Sequence, residues 1–341
     1  MSDLIDIKTK IKYSEDFQKT FNKTLFYEKL EIEIVNTWDS WGKFQQQWCN
    51  NAFNTFKDYD KYLLLIYLFR QVMQSYADKF QYLSMTDFYS REEFTIDKIN
   101  LTQISYDLKI PKETIRRKIN EFQSSQILKR RGKQIVLNKA MIELQMPKIT
   151  LELLTTFIHK QTIFLHGIET FGDPLEKDQI KSYFQKYFTV FWLRFLKLQI
   201  PYLIRWRILF KDLETFNVWG VVALNHQYNF KKIYEKNIYK ESNKVNINNF
   251  YTNIIATKVD HGINASSISD VSNIPRATVI RKLKWLKKEG LVKRNRLLEY
   301  LMKPKGKKNK RINILFIENR GHIVDFVIDV LDLIKNSNFK I

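Results

Sequence analysis

Thr114, Arg117 and Asn120, and again Thr278, Arg281, Lys284 and Lys288, stand three or four residues apart in two stretches of this sequence. At about 100° per residue, that spacing sets them on one face of a helix, with Glu113 or Ala277 beside them. Hydroxyl, amide, guanidinium and ammonium groups so arranged can hold anionic oxygens and the polar edges of planar rings. Nothing else in the chain offers chemistry of comparable definition. The five histidines, His159, His166, His226, His261 and His322, have no metal-ligand spacing, and Cys49 is the single cysteine. No phosphate-cradling glycine loop, nucleophile elbow or metalloprotease helix occurs. The sequence predicts a binding protein rather than an enzyme, with no cofactor and no metal.

The elements that must position those residues are visible around them. Ile115, Ile119 and Phe122, like Val279, Leu283 and Leu286, fall at i, i+4 and i+7, so each stretch reads as a helix with one apolar face. A shorter helix precedes each, with Thr102 or Ser266 as the expected N-cap and Ile104 or Ile268 facing inward. A tight turn follows near Lys109 or Asn273. Pro111 or Pro275 then suits the first position of the longer helix, where no N–H is required. Gly290 is expected to close the second helix in the left-handed conformation, with Gln126 in that place in the first. A basic hairpin comes next. Residues 129–138 turn at Gly132; in residues 297–317 two apolar strands are expected around a tip carrying Lys303, Lys305, Lys307, Lys308, Lys310 and Arg311.

The two stretches are copies of one unit. Residues 100–130 align with 264–294 at a constant offset of 164. Identity falls at Asn100/Asn264, Ile104/Ile268, Ser105/Ser269, Ile110/Ile274, Pro111/Pro275, Thr114/Thr278, Arg117/Arg281, Lys118/Lys282, Lys129/Lys293 and Arg130/Arg294. A fainter echo at an offset of 154 matches "FKDYDKY" (56–62) with "FKDLETF" (210–216) and Trp38 with Trp192. The difference between the offsets places an insertion in the polar stretch 231–249. The expected organisation is therefore 1–143, a helical segment with the first motif at about 95–140; 144–180, a helical connector; and 181–341, a second helical segment, the second motif at about 250–320 and a C-terminal helix. Only nine Gly and six Pro favour long helices, so the predicted class is mainly α with short β-hairpins. Trp38, Trp41, Trp48, Trp192, Trp206 and Trp219 are assigned to packing.

The formal net charge is +21 and the pI about 9.7. Residues 275–311 hold fifteen Lys and Arg against Glu289 and Glu299, a net +13, and residues 111–133 hold eight against Glu113 and Glu121, a net +6. Nearly all of the excess lies on the two motifs, which points to a polyanionic partner. The most lipid-like stretch, 187–210, is interrupted by Arg194, Lys197, Arg205 and Arg207 and broken at Pro201, so no membrane span is predicted. An N-terminus without an apolar h-region and a lone cysteine suit a reducing cytoplasm.

"ISYDLKIPKETIRRKI" and "ISDVSNIPRATVIRKL" resemble the helix-turn-helix of bacterial winged-helix transcription regulators of the IclR, MarR and GntR type, over about 40 to 50 residues in each half. The resemblance rests on Ile-Ser in the first helix, Ile-Pro after the turn and Thr-x-x-Arg before apolar residues. Those families often have Gly in the turn, where this chain has Lys109 and Asn273. It implies a second helix lying in the major groove of double-stranded DNA and a wing on the backbone or minor groove. On that reading Arg117 and Arg281 contact guanine or phosphate, and Thr114 and Thr278 contact phosphate. Lys112, Glu113, Arg116 and Asn120, with Arg276, Ile280, Lys284 and Lys288, complete the two reading helices. Lys129, Arg130, Arg131 and Lys133 grip the backbone from the first wing; Lys293, Arg294, Arg296, Lys305, Lys307, Lys308, Lys310 and Arg311 do so from the second. The expected function is sequence-specific transcription regulation, in association with the nucleoid, by two non-identical reading heads on one chain. Because Glu113/Ala277, Arg116/Ile280 and Asn120/Lys284 differ, the operator is expected to be non-palindromic. A Rep-type tandem winged-helix replication initiator and a winged-helix scaffold that does not bind DNA stay open, as do homodimerisation and a small-molecule effector.

Overall fold

A computed structural model describes residues 23–144, 146–167, 172–237, 250–304 and 306–336; Lys305 and most of the expected insertion at 231–249 lie outside the described residues. These residues form fourteen helices and five short strands, so the chain is mainly helical with small antiparallel sheets. Two compact units emerge, each assembled from separated stretches: Asp58–Ile204 with Asp325–Ile341, and Asn22–Lys57 with Arg205–Val324. The division cuts across the sequential halves expected from the repeat. The first long helix, α1 (Lys23–Phe56), belongs to the second unit, and residues 144–180 are part of the first unit rather than a connector. The reason is burial. Trp41, Phe44, Trp48 and Phe53 of α1 are buried, and α1 packs along α10 (Leu213–Asn237).

In the first unit the chain runs α2 (Tyr59–Asp78), α3 (Met85–Ser90), β1 (Glu93–Ile96), α4 (Leu101–Leu108), α5 (Lys112–Ser124), β2 (Leu128–Arg131), β3 (Gln134–Asn138), α6 (Lys139–Leu144), α7 (Lys148–Gly167), α8 (Lys177–Lys186) and α9 (Phe188–Phe210) as far as Ile204. The sheet order is β1-β3-β2, antiparallel throughout, with Leu137 opposite both Phe94 and Leu128. As expected, the β2–β3 hairpin reverses at Gly132 (φ 61°), leaving Arg131 opposite Gln134. Strand β1 was not expected. Phe88 ties the sheet to the helices, with ring centroids 4.6 Å from Phe94, 6.0 Å from Phe69 and 5.2 Å from Phe188.

The second unit combines α1 and α10 with α11 (Phe250–Ala256), α12 (Ala265–Ser272), α13 (Arg276–Lys288), β4 (Val292–Arg294), β5 (Tyr300–Met302) and the first part of α14 (Asn309–Asn336). Its core is aromatic: Trp206 lies 5.1 Å from Phe216, 5.6 Å from Trp219 and 5.7 Å from Phe316, which stacks on Tyr251 at 5.2 Å. The hairpin expected over 297–317 is not formed. Its strands are Val292–Arg294 and Tyr300–Met302, and the chain from Asn309 onward is helical. Ile312, Leu315, Asn319, Ile323, Val327 and Val330 are buried at steps of three and four, the period of a helix. The short apolar run that suggests a strand there, residues 312–317, is a fragment of that longer period. Asn309 marks the change, donating from Nδ2 to the carbonyls of Lys303 (2.7 Å) and Pro304 (2.9 Å) and accepting from Tyr251 Oη (2.9 Å).

The two copies agree down to single hydrogen bonds. Asn100 Oδ1 accepts from the N–H groups of Thr102 and Gln103, and Asn264 Oδ1 accepts from that of Ser267. The N-caps are therefore these asparagines, two residues ahead of the expected Thr102 and Ser266. Lys109 (φ 54°) and Asn273 (φ 58°) make the left-handed turn. Ser105 Oγ donates to the Ile110 carbonyl (2.6 Å) and Ser269 Oγ to that of Ile274 (2.7 Å), closing each turn in the same way. Pro111 and Pro275 are extended N-caps, one residue earlier than expected; their carbonyls accept from Ile115 and Val279, both at 3.0 Å. Gln126 (φ 56°) and Gly290 (φ 74°) end the second helices as predicted.

The fainter echo also has a structural meaning. Lys57 (φ 52°) and Lys211 (φ 72°) each turn the chain between long helices, and the next residue caps the helix that follows. Asp58 Oδ1 accepts from the Lys61 N–H (3.1 Å), and Asp212 Oδ1 from that of Thr215 (2.7 Å). The other oxygen of each pairs with an inward lysine of the motif, Lys118 in the first unit and Lys282, at 2.7 Å, in the second. Burial alone would raise the Asp58 carboxyl, but hydrogen bonds from Lys118 and the Lys61 N–H, together with the ammonium charge, hold it below the usual range. A carboxylate lowered in this way stabilises the fold above its unfolded pKa, and the effect fades as pH falls through the folded value. Asp58→Ala should destabilise by about 3 kcal/mol, from a lost cap and a stranded lysine. Urea denaturation at neutral pH should show this loss, Lys118→Met in the same chain should recover most of it, and the difference from wild type should shrink below about pH 4.

Candidate nucleic-acid interface

Each second helix is held by three apolar residues and turned outward by the rest. Ile115, Ile119 and Phe122 of α5 are buried where it packs on α4 and β2, and Val279, Leu283 and Leu286 of α13 where it packs on α12 and β4. Lys112, Glu113, Arg116, Arg117 and Asn120 are exposed on α5; Arg276, Arg281, Lys284 and Lys288 are exposed on α13. Thr114, Thr278 and Ile280 are half-buried. On the hairpins, Lys129, Arg130, Arg131 and Lys133, and Lys293, Arg294 and Arg296, are exposed.

The repeat identities now divide into two kinds. Asn100/Asn264 cap, Ser105/Ser269 close the turn, Pro111/Pro275 start the second helix, Ile104/Ile268 and Ile110/Ile274 are buried, and Lys118/Lys282 face the capping aspartates. Those pairs build the fold. Thr114/Thr278, Arg117/Arg281, Lys129/Lys293 and Arg130/Arg294 remain, and their cationic members are exposed in both copies. Identity of exposed cations is not explained by packing.

The copies differ in how much of that charge is offset. In the first, Arg116 lies 2.8 Å from Glu113, Arg117 3.7 Å from Glu121 and Arg131 3.3 Å from Glu93, while Glu121 also holds Lys61 at 2.6 Å. The pull of Lys61 keeps the Glu121 carboxyl below its ordinary range. In the second copy, Arg281, Lys284, Lys288 and Lys293 have no acidic partner among the described residues. Lys287, which sequence reasoning passed over, joins them as an exposed cation on α13.

Four of the expected backbone-gripping residues are not where a wing tip would put them. Lys308 folds back, 3.2 Å from Glu289 and 4.6 Å from the centre of the Trp285 ring, and donates to the Leu209 carbonyl. Lys310 and Arg311 are exposed on the first turn of α14, and Lys307 is exposed in the turn before it. The tip of the β4–β5 hairpin is instead formed by residues 295–299. An amide cluster was also illegible in the sequence. Asn50 Nδ2 of α1 donates to the Val271 carbonyl at the end of α12 (2.5 Å), and Asn50 Oδ1 accepts from Gln46 (3.0 Å) and Asn217 (3.3 Å). Its members are far apart in the chain.

Burial pushes the Cys49 thiol up to about 12, so it is a protonated packing group. Among the described residues no cluster of His, Cys, Asp and Glu is arranged to hold a metal ion, and no helix is long and apolar enough to cross a membrane. Compared with protein-family models, curated proteins and solved structures, the chain matches none. The surface charge leads to a direct measurement on an immobilised polyanion such as heparin. Lys284→Ala with Lys288→Ala should lower the eluting salt concentration more than Arg116→Ala with Arg117→Ala, whose charges Glu113 and Glu121 offset; equal shifts would mean that the ion pairs leave the surface potential unchanged.

Proposed function

We propose that this protein is a sequence-specific DNA-binding transcription regulator, carrying two non-identical winged-helix reading heads on one chain. The observation that carries the reading is the set of exposed Arg and Lys residues that recur in both copies after every structural role has been assigned. Helix, left-handed turn, helix and hairpin in that order support it, because this is the arrangement that presents a second helix to the major groove. Arg117 and Arg281 are the residues for guanine or phosphate, with Thr114 and Thr278 near the helix start for phosphate. Lys129, Arg130, Arg131 and Lys133 on one hairpin, and Lys293, Arg294 and Arg296 on the other, hold the backbone.

The outward differences give the two heads different preferences. In the first head Glu113 suits a cytosine amino group and Asn120 an adenine; the second offers Lys284 at the latter position and no carboxylate on the reading face. The operator is then non-palindromic, and double-stranded DNA is the partner.

Gel shifts with duplexes selected from a random pool test the reading. Arg281→Ala should weaken binding by about 1–3 kcal/mol and relax preference at one position, whereas Lys288→Ala should weaken all sequences alike and reduce the salt slope by about one. Binding that ignores salt, or that Arg281→Ala leaves intact, would rule out this function in favour of a protein-binding scaffold.

A further inference from the structure

The tips of the two hairpins are chemically unlike. In the first unit the chain reverses through Gly132 and Lys133 between Arg131 and Gln134, a wholly polar tip. In the second, residues 295–299 make the turn, and Leu297 and Leu298 stand at its end, 69% and 57% exposed. Leucines left so far in water gain nothing from folding. Leu298 is also at φ 63°, a conformation that bulky side chains rarely adopt.

The turn is braced rather than slack. The Asn295 N–H donates to the Glu299 carbonyl (2.9 Å), and the Glu299 N–H donates back to Asn295 Oδ1 (2.9 Å). Asn295 Nδ2 donates to the Glu299 carboxylate (2.8 Å), which also accepts from the Gly262 N–H (3.1 Å). The Leu298 N–H donates to the Asn295 carbonyl (3.2 Å), and the Leu298 carbonyl accepts from Arg294 Nε (3.3 Å). Two exposed leucines, Leu298 in a strained conformation, are thus held outward by a hydrogen-bonded frame.

We infer that Leu297 and Leu298 form an apolar wedge that enters the minor groove of bound DNA and parts a base step, bending the duplex at the second hairpin only. The inference rests on the proposed DNA-binding function. Charge selects the occupant: Lys293, Arg294 and Arg296 are exposed beside the leucines, and the nearby carboxylate, Glu299, is engaged by Asn295 and Gly262. A ligand with an anionic rim and an apolar interior between its stacked rings satisfies both features. Leucines inserted in this way kink a duplex by about 20–90°, most cheaply at pyrimidine–purine steps. The bend therefore lies to one side of the footprint.

Bend angles measured by circularly permuted gel mobility, with the full chain and duplexes selected from a random pool, test the wedge. Wild type should bend DNA, and Leu297→Ser with Leu298→Ser should remove at least half of the bend while leaving the salt slope unchanged. Leu298→Gly suits the backbone at that position, so it should melt no lower than wild type and still reduce the bend, which separates the effect from misfolding. Salt-sensitive binding without a bend, or a bend that these variants leave intact, overturns the wedge while the DNA-binding function stands. Absence of salt-sensitive binding overturns both. Sedimentation with phosphatidylserine vesicles that depends on Leu297 while the DNA bend does not would assign the leucines to a membrane surface, against the wedge.

Discussion

A lysine turned inward from each second helix to a helix-capping aspartate is the contact on which both units depend. A buried or half-buried ammonium needs a partner, so Lys118, which is buried, and Lys282, which is half-buried, fix the roll of their helices against the helix that Asp58 or Asp212 begins. Once that roll is fixed, the apolar triad faces inward and Thr, Arg and the remaining polar residues face solvent. The aspartate in turn follows a left-handed lysine, Lys57 or Lys211, which ends the helix before it. Capping, orientation and exposure are therefore linked through the capping carboxylate of each unit, joined on Lys282 in the second by Glu214 at 3.1 Å.

On this shared frame the two outer surfaces have been given different electrostatics. Carboxylates set among the cations of the first copy offset part of its charge, which weakens undirected attraction to anions. The second copy leaves Arg281, Lys284, Lys288 and Lys293 without an acidic partner among the described residues and presents leucines at its hairpin tip. Exposed charge is unevenly divided between the two copies.

The two pairs of short helices were legible because a repeat supplied its own control. Apolar spacing located α5 and α13, Gly132 located the first hairpin turn, and Gln126 and Gly290 located the helix ends. Errors arose where local pattern is ambiguous. Threonine or serine and a nearby asparagine both make good caps, so Thr102 and Ser266 were preferred to Asn100 and Asn264. The short apolar run at 312–317 fits a strand as well as the start of a helix, which displaced the second hairpin and, with it, Lys310 and Arg311. Strand β1 is four residues long and gains its identity from pairing with β3, which no local signal records. The assignment of α1 to the second unit, and the amide cluster around Asn50, depend on contacts distant in sequence, to which periodicity is blind.

That exchange of α1 has a consequence for how the protein is made. Trp41, Phe44, Trp48 and Phe53 are synthesised before the helix that covers them, Leu213–Asn237, which emerges only after the whole stretch between has been made. At about 5–20 residues per second the wait is on the order of ten seconds or more. The first unit waits longer still, because it is completed by Asp325–Ile341, where the Leu333 carbonyl receives a hydrogen bond from Tyr183 Oη (2.9 Å). The aromatic face of α1 therefore stays uncovered until Leu213–Asn237 has been made, and the first unit stays incomplete until the stretch that holds Leu333 arrives.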